Sequence, residues 1–93
     1  MVKKNVVLYY RKNRLEKNRL GITVSSKIGC AVQRNRVRRL LKENYRILQG
    51  LSEGYDIVLV ARTRITNAGF EEIGKELRSA LYESGILGVK NSD

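Results

Sequence analysis

An α+β domain, with a small mixed sheet packed against two helices in the order strand, strand, helix, strand, helix, is what the 93-residue sequence predicts. Three observations carry this. Two short runs near the N-terminus are β-branched or strictly alternating, a long basic segment has helical periodicity, and an unbroken apolar run is followed by a second amphipathic segment.

Residues 5–12 (Asn-Val-Val-Leu-Tyr-Tyr-Arg-Lys) are rich in β-branched and aromatic side chains, which suits a strand. Residues 13–18 are polar and turn-like. In residues 19–25, Leu20, Ile22 and Val24 alternate with Arg19, Gly21, Thr23 and Ser25, so the segment reads as a second strand and the pair as a hairpin with a basic tip. Residues 26–29 form a short link to a helix over residues 31–48, with Gly50 placed to end it. Residues 55–62 (Tyr-Asp-Ile-Val-Leu-Val-Ala-Arg) contain the unbroken apolar run Ile57 to Ala61, as in a strand buried on both faces and parallel to a neighbour. Residues 66–69 lead to a helix over 70–84, whose core stripe is Phe70, Ile73, Leu77 and Leu81 and whose end is Gly85. The tail from Gly88 to Asp93 is expected to fray. The chain has no repeats and no proline, and residues 1–93 read as a single domain.

Composition excludes several classes. The longest apolar runs have five residues, against the ~20 of a membrane-spanning helix, so a soluble cytoplasmic protein is expected. The single cysteine, Cys30, rules out an internal disulfide and a cysteine-based zinc site, and is expected to pack at a helix start. With no histidine, the commonest general base and transition-metal ligand are missing. A histidine-based catalytic or transition-metal site is therefore not expected. An autonomous metal nuclease would need clustered carboxylates, and the basic half offers only Glu16 and Glu43.

The net charge of +10 is segregated. Residues 1–51 hold 14 Lys and Arg against Glu16 and Glu43, a net of +12, while residues 52–93 hold 5 basic against 7 acidic residues, a net of −2. On a wheel with Arg34 at the origin, Arg38, Lys42, Arg46 and Arg39 fall at about 40°, 80°, 120° and 140°, and the aliphatic Val37, Leu40, Leu41, Ile47 and Leu48 lie on the opposite arc. Like charges four apart cost a helix a few tenths of a kcal/mol per pair, and a helix selected for stability alone would interleave glutamates. Phosphates that neutralise the stripe explain it, with counterion release driving affinity. Arginine in place of lysine fits this, because a guanidinium grips phosphate with two parallel bonds. Tyr9 and Tyr10 point to opposite sheet faces, so one of them can stack on an unpaired base beside the helix. A membrane-surface helix would want flanking bulky aromatics, so no membrane partner is expected. A ribosomal or DNA-binding module remains the alternative.

The run Ser25-Ser26-Lys27-Ile28-Gly29-Cys30-Ala31-Val32-Gln33-Arg34-Asn35-Arg36-Val37-Arg38-Arg39-Leu40-Leu41-Lys42-Glu43 closely resembles the signature of the bacterial ribonuclease P protein family. The strands containing Val7-Leu8-Tyr9, Leu20 to Ser25 and Asp56 to Arg62 agree with it in order and spacing, so the resemblance extends over residues 5–87. It implies a protein cofactor of a catalytic RNA that, with magnesium held mainly by the RNA, cleaves the 5′ leader from precursor tRNA. Lys27, Arg34, Asn35, Arg36, Arg38, Arg39, Lys42 and Arg46 would then face RNA, Tyr9 would lie in a cleft for the single-stranded leader, and the helix would join parallel strands by a left-handed βαβ crossover.

The sequence departs from the family at two places. The family's double lysine before the glycine is Ser26-Lys27 here, which removes one cation. Family members also carry an N-terminal helix with paired phenylalanines ahead of the Val-Leu-Tyr strand. Relative to them the chain reads as N-terminally truncated, with an uncovered sheet surface that is expected to promote self-association or a domain swap.

Overall fold

The computed structural model describes residues 1–88; the expectation of a frayed tail falls almost wholly on residues 89–93, outside that range. The elements follow the expected order: strands β1 (Val6–Lys12) and β2 (Arg19–Thr23), a 3-10 turn (Ser26–Ile28), helix α1 (Ala31–Arg46), strand β3 (Tyr55–Ala61), a second 3-10 turn (Thr63–Asn67) and helix α2 (Phe70–Ser84).

The sheet is mixed, but the expected hairpin does not form. Strand order is β1-β3-β2, so β3 lies between the two N-terminal strands. It pairs antiparallel with β1, from Val6 opposite Ala61 to Lys12 opposite Tyr55, and parallel with β2, from Arg19 opposite Asp56 to Thr23 opposite Val60. Alternation specifies which residues share a face, not which strands pair. Two asparagines in the connection favour the observed pairing by tying it to the start of β3. Asn13 donates from Nδ2 to Asp56 Oδ1 at 2.9 Å, and Asn18 Oδ1 accepts from the Tyr55 N–H at 2.8 Å while its Nδ2 donates to the Ser52 carbonyl. Since β2 and β3 are parallel neighbours, α1 is the crossover between them.

One sheet face builds the core. Val6, Leu8, Ile57, Leu59 and Ala61 pack in one cluster with Val37 and Leu41 of α1 and with Ile73, Leu77, Ala80 and Leu81 of α2. The helices approach closely where Gly74 meets the buried Asn44: a Cβ on Gly74 would sit 2.7 Å from Asn44 Oδ1. Phe70, expected in the α2 stripe, is instead 44% exposed, because as the first residue of the helix it lies beyond the turns that cover the core. Gly85 ends α2 in the left-handed conformation (φ 88°), as expected.

The second sheet face is open. Val7, Tyr9 and Arg11 of β1, Asp56, Val58 and Val60 of β3, and Arg19, Gly21 and Thr23 of β2 share it by register. Val58 and Val60 are only half-buried, so β3 is not covered on both faces. The apolar run was compatible with two-sided burial, but both helices are spent on one side of the sheet.

Candidate nucleic-acid interface

The entry to α1 is fixed by local bonds. Ser25 Oγ accepts from the Lys27 N–H, Gln33 Oε1 turns back to accept from the Cys30 N–H at 3.1 Å, and Arg34 Nη1 donates to the Gly29 carbonyl at 2.8 Å. Gln33 and Arg34 thereby hold the link onto the first turn of the helix. Cys30 is exposed at the N-cap rather than packed, because the chain enters the helix on its solvent side. The backbone N–H groups of Gln33 and Val32, aided by nearby Arg34, draw its thiol pKa below the ordinary value.

Past that entry, the outer face of α1 and the edge strand β2 bound an open groove of about 560 Å³, lined by Leu20, Asn35, Arg38, Arg39, Lys42, Glu43, Tyr45 and Arg46. Five of the eight residues expected to face RNA therefore meet in one place. Arg46 is neutralised there by Glu43, one turn away. Arg38, Arg39 and Lys42 make no hydrogen bond or ion pair with any described residue, so three cations within two turns stand without a counter-charge. Burial raises the Tyr45 phenol pKa, against a lowering by the Asn18 side chain.

The other three expected residues lie outside this groove. Arg34 is occupied at Gly29 and half-buried, Arg36 reaches the Ala68 carbonyl at 3.5 Å, and Lys27 is exposed on the 3-10 turn. An Arg-Asn-Arg tripeptide on a helix spreads its three side chains over about 200° of arc, so one groove cannot hold them all.

The two tyrosines of β1 part as the pleat requires. Tyr10 meets Tyr55 edge-on, with ring centroids 6.4 Å apart. Tyr9 is 59% exposed on the open face, opposite Val58, with Val7 and Val60 in the adjacent row and Gly21 beyond Val58. Lacking a side chain, Gly21 leaves a shallow apolar strip walled by the Tyr9 ring, a shape suited to a flat aromatic ligand.

One group on this face was not foreseen from sequence. Asp56 accepts from Arg19 Nε at 2.7 Å and Nη2 at 2.8 Å and from Asn13 Nδ2, with Arg11 Nε 3.9 Å away. Strand register alone reveals it, because Arg11, Asp56 and Arg19 form one row across all three strands. The Arg19 and Asn13 hydrogen bonds lower the Asp56 pKa to about 2. A depressed folded-state pKa adds stability above the unfolded value of about 4, and this is lost as pH falls through about 2. In thermal melts, the stability gap between the protein and its Asp56→Asn variant is expected to be widest above about pH 5 and to narrow toward pH 2. A gap independent of pH would mean that the pairing contributes nothing through charge.

Among the described residues no helix is long and apolar enough to cross a membrane, and no group of three or more acidic or cysteine side chains could hold a metal. The groove's one carboxylate, Glu43, is engaged by Arg46, so it offers no oxygen cage for magnesium.

Comparison with known proteins is consistent across sequence and structure. A family model described as Ribonuclease P matches residues 1–85. The chain is 47% identical over 86 residues to the ribonuclease P protein component of Caldanaerobacter subterraneus subsp. tengcongensis, covering 91% of this chain and 74% of that one. It is 44% identical over 85 residues to the corresponding protein of Clostridioides difficile, covering 89% and 75%. Among solved structures, the Staphylococcus aureus RNase P protein superimposes with a TM-score of 0.84 at 28% identity, covering 95% of this chain and 82% of that one. The Thermotoga maritima protein gives 0.82 at 30% identity, covering 89% and 80%.

Proposed function

Because the chain belongs to the ribonuclease P protein family, we propose that it is the RNA-binding subunit that assists an RNA catalyst in removing the 5′ leader of precursor tRNA. Membership places it with the protein component of an endoribonuclease that processes tRNA. The finer assignment is ours. The α1 groove, with Asn35, Arg38, Arg39 and Lys42, docks on the phosphates of the catalytic RNA, and the open sheet face around Tyr9 takes the single-stranded leader. Arg34 and Arg36 act mainly by holding α1 against its neighbours, and Lys27 and Arg46 add charge at the margins. The observation that carries this reading is the cluster of three cations that have no partner among the described residues, an arrangement that a bound phosphate backbone would neutralise.

The protein supplies binding and orientation, and its groove does not fit a bound magnesium ion. Magnesium therefore belongs with the RNA subunit in this reading, and the RNA carries the chemistry. The site of action is the cytoplasm, where precursor tRNA is made. The uncovered sheet face also suits a second copy of the chain, and sedimentation with and without RNA separates self-association from leader binding.

Adding the chain to a bacterial ribonuclease P RNA is expected to lower the magnesium concentration needed for precursor tRNA cleavage. An unchanged magnesium requirement at saturating protein would refute the assignment. Preferential binding to duplex DNA would favour a different basic module.

A further inference from the structure

The Arg11–Asp56–Arg19 row has a feature that a structural ion pair does not need: two cations share one carboxylate. Arg19 lends two of its five N–H donors to Asp56, leaving three on its outer edge. The Arg11 side chain makes no hydrogen bond among the described residues, its 3.9 Å approach to Asp56 being too long for one, and it is 82% exposed. The carboxylate between them is braced from behind. Asn13 donates to it, and Asn13 is itself fixed by the Leu15 N–H on its Oδ1 and by its own N–H on the Gly54 carbonyl. The row thus presents unspent guanidinium donors and a net positive charge in a preset arrangement.

The row also has a fixed place relative to Tyr9. Tyr9, Val58 and Gly21 form the next row along the same face. Successive rows on one face are two residues apart, about 6.6 Å, a span that one unstacked nucleotide of an extended strand covers. A base lying on the Tyr9 ring therefore has an adjoining phosphate within reach of the arginine row.

We propose that Arg19 and Arg11, set by Asp56, form a phosphate seat that fixes the register of single-stranded RNA on the open face, one nucleotide step from the base stacked on Tyr9. This rests on the reading of that face as the single-strand site. Arg11 and Arg19 are binding residues, and Asp56 is a positioning residue that acts through Arg19.

The test uses the whole chain and a fluorescein-labelled ten-nucleotide uridine RNA, titrated at several salt concentrations, with thermal melts to verify folding. Tyr9→Ala is expected to weaken binding without changing the salt slope, which locates the probe on the open face. Arg11→Ala and Arg19→Ala are each expected to weaken binding about fivefold and to reduce the slope by about 0.7, the value for one phosphate neutralised on a single strand. Should Arg19→Ala fail to fold, Arg11→Ala still decides, because the Arg11 side chain makes no hydrogen bond within the described protein.

Asp56→Asn separates positioning from bulk charge. Removing a negative charge should tighten binding if the carboxylate merely repels RNA. It should weaken binding, with partial recovery in Asp56→Glu, if the carboxylate sets the seat. Tighter binding by Asp56→Asn overturns the positioning role. Full affinity and slope in both arginine variants, alongside a loss in Tyr9→Ala, overturns the seat while leaving the open-face reading intact. Full affinity in Tyr9→Ala overturns both.

Discussion

Replacing Arg38 and Arg39 together with alanine is expected to weaken binding to ribonuclease P RNA by roughly a hundredfold while leaving the fold slightly more stable. Neither guanidinium has a partner within the described protein, so neither substitution removes an internal bond. Arg38 lies one turn from both Arg34 and Lys42, and its removal relieves like-charge repulsion worth a few tenths of a kcal/mol per pair. On the RNA side, a charge-assisted hydrogen bond contributes about 1.5–3 kcal/mol, and about 1.4 kcal/mol is tenfold in affinity. The slope of log affinity against log salt should fall by roughly 0.7–0.9, the single-strand and B-DNA values, for each phosphate that the protein no longer neutralises. Filter binding at several potassium chloride concentrations reads both quantities, and a thermal melt reads the stability. An unchanged slope would mean that this face does not meet phosphate. Arg46→Ala makes a useful contrast, because Glu43 already neutralises that charge and a smaller loss is expected.

The same stripe shows how far the amino-acid sequence reaches toward the site. Helical spacing places Arg38, Arg39 and Lys42 on one side of α1 and Val37 and Leu41 on the other, since both sets follow from a rotation of about 100° per residue. It cannot place Arg34 or Arg36. Their fates depend on carbonyls of Gly29 and Ala68, which come within reach only when the link and the start of α2 are in position. Strand identities are legible from β-branching and alternation, but strand order is not. The hairpin expectation failed because Asn13 and Asn18, ordinary turn residues by composition, bond to Asp56, Ser52 and Tyr55 across the sheet. The row of Arg11, Asp56 and Arg19 is hidden for the same reason, since it exists only once β3 lies between β1 and β2. Asn5 is a further case: it is fully buried at the start of β1, where its amide bonds Glu72 and Glu76 of α2. No periodicity signals a polar residue whose partners lie on the last helix of the chain.

The inner face of α1 should respond in the opposite way to the outer one. Leu41 is 0% exposed and sits in the core behind Arg38 and Lys42. Leu41→Ala removes packed methyl groups and leaves a cavity, at a cost of about 2–5 kcal/mol. For a domain whose total stability is on the order of 5–15 kcal/mol, that is a large fraction, and at about 4–8 °C per kcal/mol the melting temperature should fall by at least about 8 °C. Val32→Ala on the same helix, at a side chain 77% exposed, should stay within about 0.5 kcal/mol. The groove survives in the Leu41→Ala protein whenever the protein is folded, so RNA that binds only the native state should restore stability, by about 2.7 kcal/mol at a hundred times the dissociation constant. The Arg38→Ala, Arg39→Ala protein should start stable and gain far less from the same RNA. If RNA raised the two melting temperatures equally, the groove on α1 would not be where the RNA binds, because only one of the two proteins has lost it.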